Sequence, residues 1–217
     1  MSETVASAGA APVARMLDEM ALLQEHHNRE VAEDWRQRGF PYYRAVWVEC
    51  AELLDHHGWK WWKKQVPDAG QVKLELVDIW HFGLSMLLRD EVPLGEVAAQ
   101  LHAAVGVPRP AEHFRGDVEA LALAALRDQA FSMPAFIDCM NAMGTSVADL
   151  FEAYIGKNVL NNFRQHHGYA DGSYRKLWSG REDNEHLMEV LEGLDPADDD
   201  FQLQLYDALR ERYAASV

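Results

Sequence analysis

The chain has 217 residues and a formal net charge of −15, a balance that disfavours general nucleic-acid binding, which needs a basic footprint, but leaves room for a phosphorylated small substrate held by metals or local cations. Apolar residues make up 48% and charged residues 25%, enough for one substantial core, with or without an appended lobe. Two cysteines, Cys50 and Cys139, offer no disulfide framework, no stretch reaches transmembrane length, and the opening residues lack the basic and apolar regions of a secretory signal, so a soluble cytoplasmic protein is expected.

Apolar residues recur at helical spacing nearly throughout and strand-like alternation is scarce, which predicts an all-α bundle. Residues 1–11 read as a mobile leader. The first helix is expected from about Pro12 to Arg38, with Met16, Met20, Leu23, Val31 and Trp35 on its apolar side and Gly39 and Pro41 ending it. Gln24 and Asn28 stand four apart, on one face. Two amides so placed can read an edge that offers donors and acceptors, such as a nucleobase; taken alone, two exposed polar residues are the more ordinary account.

The second helix, about Tyr42 to His57, carries Glu49 and Glu52, and the third, about Gln71 to Arg89, carries Glu75 and Asp78. A step of three puts each pair on one helical face. Both pairs are embedded in apolar sequence, where ionised carboxylates are costly unless paired or bound to a cation. Gly58, Pro67 and Gly70 let the chain turn back between the helices, so all four acids can converge. Oxygen-only ligation favours Mg²⁺, or Mn²⁺, over Zn²⁺, and the chemistry it suggests is metal-assisted attack of water on a phosphate chain. Ordinary solvated helix faces are the competing account. The turn Gly58-Trp59-Lys60-Trp61-Trp62-Lys63-Lys64 offers indoles for stacking and ammonium groups for phosphate, although one or two of the tryptophans are expected to plug the core. His81 borders the carboxylate face; a lone histidine there is more often a hydrogen-bonded structural residue than a ligand.

From Val92 to Met143, prolines and glycines divide the chain into short Ala- and Leu-rich helices with no distinctive chemistry. Beyond them Lys157, Asn161 and Arg164 form a single helical stripe. An ammonium, an amide and a guanidinium in line suit an anionic polyoxygen ligand, the alternative being a plain solvated basic patch. Gly168 is expected to end this helix. Tyr169, Tyr174, Arg175, Lys176, Trp178 and Arg181 then follow in a glycine-punctuated loop, and the C-terminal segment reads as one or two helices broken near Pro196.

The order E-x-x-E, Trp/Lys-rich turn, E-x-x-D resembles the all-α nucleoside triphosphate pyrophosphatases. Within them ECAEL, GWKWWK and LELVDIWHFGLS, together with the later K-N-x-L-N-x-x-R-x-x-x-G-Y block and Glu182-Asp183-Asn184, resemble the dimeric dUTPases. The resemblance implies one all-α domain over 12–217, with a rigid core at about 12–90 and 145–217 and a variable lobe at about 91–144 that closes over the nucleotide. It implies a homodimer that hydrolyses dUTP to dUMP and pyrophosphate, and dUDP to dUMP and phosphate, by attack at the β-phosphorus. Glu49, Glu52, Glu75 and Asp78 would hold Mg²⁺, with Glu49 or Glu52 positioning or deprotonating the water. Lys157 and Arg164 would neutralise phosphate; Gln24, Asn28, Trp61, His81 and Asn161 would select uracil and deoxyribose; Tyr169 and Asn184 are further substrate contacts. Two rival expectations stand beside it: a related pyrophosphatase that prefers dCTP or acts broadly in house-cleaning, and a non-catalytic helical module that binds nucleotide or protein.

Overall fold

The structure, a computed structural model, describes residues 2–195, 198 and 200–216, with side chains from residue 10 onward. The fold is all-α. In chain order the helices are α1 (Ser2–Val31), α2 (Tyr42–His57), α3 (Ala69–Arg89), α4 (Leu94–Ala104), α5 (Phe114–Asp128), α6 (Met133–Met143), α7 (Val147–His166), α8 (Asp183–Leu191) and α9 (Phe201–Ala215). Among the described residues no helix is long and apolar enough to cross a membrane. Compactness divides the chain into residues 1–151 and 152–217, with α7 running from the first unit into the second. Helices α4 to α6 therefore belong with α1 to α3: α4 packs on α1 and α5 on α2.

Helix α3 is the centre of the first unit. Asp68 caps its start, accepting a hydrogen bond from the Gln71 amide at 3.0 Å. Val72, Leu74, Leu76, Val77, Ile79, Trp80, Leu84, Met86 and Leu87 are all buried, covering the helix on every side, as a core helix requires. Trp80 is fully enclosed; its ring stacks on Phe136 at 5.1 Å and its indole N–H points at Met20 Sδ, 3.3 Å away. Gly83 lets α3 pass so close to Phe131 that a Cβ there would meet its ring at 2.4 Å.

Helices α2 and α3 match the expected spans closely; α1 does not. It begins at Ser2, with Pro12 inside it, and ends at Val31, where a turn takes over to Gly39. Its buried face is Val13, Leu17, Met20, Ala21, Gln24 and Asn28, while Val31 is exposed. Trp35 is buried, but from the turn, not as a further helical position. In the second unit α7 ends at His166, and the chain reverses through Gly168 at φ +89°. A two-residue antiparallel hairpin was not expected: β1 (Leu177–Trp178) pairs with β2 (Arg181–Glu182). Ser179 and Gly180 both have positive φ, the conformation that a two-residue hairpin turn demands. The expected helix break near Pro196 falls on a residue outside the described ones; α8 and α9 lie on either side of it.

Replacing Trp80 with alanine is expected to cost about 3–5 kcal/mol of stability, read from the midpoint of chemical denaturation.

Candidate active site

Glu49 and Glu52 on α2 meet Glu75 on α3: one carboxylate oxygen from each lies within 4.8 Å of the other two. Glu75 is buried, Glu49 half-buried and Glu52 exposed, so the group runs from the core to the surface. The fourth acid, Asp78, is close enough for its charge to act on Glu49. Burial, followed by the charge of Asp78, the hydrogen bond and charge of Glu75, and the charge of Glu52, pushes the Glu49 carboxyl up to about 9. His56 lies beside the group, its Nε2 3.5 Å from Glu75 Oε1. Clustered hard oxygen donors that repel one another in this way are the donor set that suits a divalent cation such as Mg²⁺.

Gln24, Asn28 and His81 also come together, and not at the surface. Gln24 and Asn28 are 3% and 4% exposed, so the ordinary account of two solvated amides does not hold. They continue the apolar stripe of Leu17, Met20 and Ala21 and face α3. Gln24 Nε2 donates to Asn28 Oδ1 at 3.0 Å; Asn28 Nδ2 donates to Ser85 Oγ at 3.0 Å; His81 Nδ1 is 2.7 Å from Gln24 Oε1. Ser85, fully buried, had no place in the sequence-based site. The signal for it was its step of four from His81 on a helix apolar all round. The charge between the two amides is dealt with on the outer side, where Glu25 takes Arg29 and Arg36 as partners.

The tryptophans of the α2–α3 turn do not plug the core: Trp59, Trp61 and Trp62 are 43%, 88% and 56% exposed and pack edge-on against one another. The turn is held instead by Gln65, whose Oε1 accepts from the Lys60 amide at 2.7 Å, and by Asp55, which accepts from the Trp59 indole at 3.0 Å. A cavity of about 210 Å³ opens there, lined by Trp59, Lys60, Trp61, Lys63 and Arg115 among others. Its aromatic and cationic walls are those an anionic ligand with a flat ring would use.

In the second unit Lys157, Asn161, Arg164 and Asn184 form one network. Lys157, buried, donates to Asn184 Oδ1 at 2.8 Å; Arg164 reaches Asn161 Oδ1 at 3.1 Å and Asn184 Oδ1 at 3.3 Å. Asn184 Oδ1 is the acceptor that Lys157 and Arg164 share, and Asp183, fully buried, anchors Arg164: it accepts two 2.8 Å hydrogen bonds from that guanidinium and one of 2.7 Å from the Tyr174 hydroxyl. Burial alone would raise the Asp183 carboxyl, but Arg164, Tyr174 and the charge of Lys157 outweigh it and hold the group below its ordinary value. Tyr169 is half exposed, with its ring 5.9 Å from the Arg164 guanidinium. The solvated-patch account fails for Lys157 and Arg164, because both are enclosed and already engaged.

A family model described as dUTPase matches residues 16–169, which take in the four acids, the Gln24–Asn28–His81 group, the tryptophan turn and the Lys157–Arg164 stripe. The chain belongs to the dimeric, all-α dUTPase family. No curated protein matches it. As a member of that dUTPase family it is a dUTP-hydrolysing or related nucleotide pyrophosphatase. Asp183 and Asn184 lie beyond the matched residues; for them the hydrogen bonds above are what connects them to the dUTPase stripe.

Glu49 has a consequence for stability. Its folded-state value, about 9, exceeds its ordinary 4.5, so the folded chain holds this proton more tightly than the unfolded chain. The stabilisation is complete below 4.5 and is lost as pH rises towards 9. In chelator-treated protein the thermal midpoint is expected to fall across that interval, and Glu49→Gln, which cannot ionise, to flatten the fall. Calorimetry over a pH series reads both.

Proposed function

We propose that this protein hydrolyses dUTP to dUMP and pyrophosphate in a Mg²⁺-dependent reaction, and dUDP to dUMP and phosphate by the same route. The observation that carries this reading is the acid cluster on α2 and α3, which lies within the dUTPase match and is costly to ionise without a cation. Glu49, Glu52, Glu75 and Asp78 would hold the metal, with Mn²⁺ as a substitute. Bound there, Mg²⁺ would offset phosphate charge and acidify water. Near such a cation Glu49 ionises well below 9 and serves as the base that orients the attacking water and takes its proton, with Glu52 as the alternative. Attack at the β-phosphorus breaks its bond to the oxygen shared with the α-phosphorus. That oxygen leaves on dUMP, and the solvent oxygen ends in pyrophosphate.

Lys157 and Arg164 would balance charge on the phosphate chain, most usefully in the transition state, with Asn161, Asn184 and Tyr169 as neighbouring contacts. Gln24, Asn28 and His81 would read uracil, and Trp61, the most exposed indole of the turn, would stack on the base. A buried polar set suits this task, because a site that must pair particular edges rejects analogues lacking them. The protein would work as a homodimer inside the cell, where dUTP arises; the family's dimeric habit supports the first part.

Turnover of a nucleotide panel with Mg²⁺ tests the reading. dUTP is expected to lead, turnover to stop with chelator, and ¹⁸O from labelled water to appear in pyrophosphate and not in dUMP. Glu49→Gln and Glu75→Gln are each expected to lower kcat by about 10²–10⁴-fold while leaving a folded protein. Equal turnover of dCTP or dTTP would remove uracil from the proposal. Failure to release pyrophosphate from any deoxynucleotide would favour the binding module.

A further inference from the structure

The four buried side chains on α1 and α3 close into a loop with a direction. His81 Nδ1 contacts Gln24 Oε1 at 2.7 Å; Gln24 Nε2 donates to Asn28 Oδ1 at 3.0 Å; Asn28 Nδ2 donates to Ser85 Oγ at 3.0 Å. The Ser85 hydroxyl, which is 3.4 Å from Asn28 Oδ1, takes the shorter route to the main-chain oxygen of His81 at 2.9 Å. Each amide presents its oxygen one way and its nitrogen the other, and an imidazole in one tautomer does the same. The loop therefore runs in one of two senses.

The main-chain carbonyl of His81 is the one member that cannot reverse, since it only accepts. If both amides were turned over, Asn28 Oδ1 would face Ser85 Oγ at the 3.0 Å position and take the hydroxyl proton. The 2.9 Å contact of Ser85 Oγ with the carbonyl would then set lone pair against lone pair. In the sense observed all four contacts are hydrogen bonds, and each polarises the next. His81 accordingly donates from Nδ1 to Gln24 Oε1.

We propose that Ser85 is a positioning residue that sets base specificity: its hydroxyl transmits the fixed polarity of the α3 backbone to Asn28, Gln24 and His81. This rests on the reading that those three face the base. Uracil and cytosine differ by an inversion of this kind. Uracil offers an N3–H donor and an O4 acceptor, whereas cytosine offers an N3 acceptor and an N4–H donor. A loop that can run only one way accepts one pattern and refuses the other. Ser85 is fully buried, so it acts through its partners and not by touching the nucleotide.

Ser85→Ala tests this. Alanine suits a helix interior, so the variant folds, but the link to the carbonyl is gone and both senses become available. Two readouts are needed, the His81 tautomer from two-bond nitrogen–proton correlations in ¹⁵N-histidine-labelled protein, assigned with His81→Asn, and kcat/KM for dUTP and dCTP. Wild type is expected to show Nδ1–H. Ser85→Ala is expected to show a mixture or Nε2–H, with the dUTP-to-dCTP ratio reduced at least about tenfold, the change falling on KM more than on kcat. An unchanged tautomer and an unchanged ratio in Ser85→Ala overturn the inference while leaving uracil selection intact. A tautomer that shifts while the ratio stays constant overturns the specificity role. A wild-type enzyme with no preference for dUTP overturns the reading of the base site, and the tautomer then tests the loop by itself.

Discussion

Glu49, Glu52 and Glu75 are held within a few ångströms of one another by two packed helices, with Asp78 adding its charge and His56 standing beside Glu75. Like charges at that spacing repel unless protons or cations intervene, and packed helices cannot part to relieve them. Helix α3 is the reason they cannot. It is buried on every side, so a shift that separated Glu75 from Glu49 would disturb the contacts of Trp80 with Met20 and Phe136 as well. Core packing thus stores the electrostatic frustration that a bound cation would relieve.

The same helix carries the other half of the first unit's chemistry. His81 follows Asp78 by three residues and Ser85 follows His81 by four, successive turns along α3 at a rise of about 1.5 Å per residue. A group suited to phosphate and metal and a group suited to a base edge are therefore set at a fixed separation by one stiff rod. On the proposed reading, substrate selection and substrate cleavage would both depend on the burial of this one element.

The second unit handles charge in the opposite way. Asp183 is fully buried, yet its carboxyl is held low because Arg164, Tyr174 and Lys157 surround it. Glu49 is held high by burial and by the acids that surround it. The contrast separates two roles for buried carboxylates. One completes a satisfied network and fixes the orientation of a guanidinium. The other is left in deficit, a condition that marks functional sites more often than structural ones.

Local sequence determined the helical class, the spans of α2 and α3, the pairing of acids by a step of three and the single stripe of Lys157, Asn161 and Arg164, because each follows from the period of the helix alone. It did not determine which face of α1 is covered. Gln24 and Asn28 look like surface residues until α3 supplies His81 and Ser85 as partners, and no periodicity signals a hydrogen bond between residues 57 apart in the chain. Nor did it place Asp183 beneath Arg164, or leave the tryptophans of the turn outside the core, since both depend on what the neighbouring segments leave uncovered. Tertiary packing decided where polar groups find partners, because the cost of burying them depends on distances that only the folded chain sets.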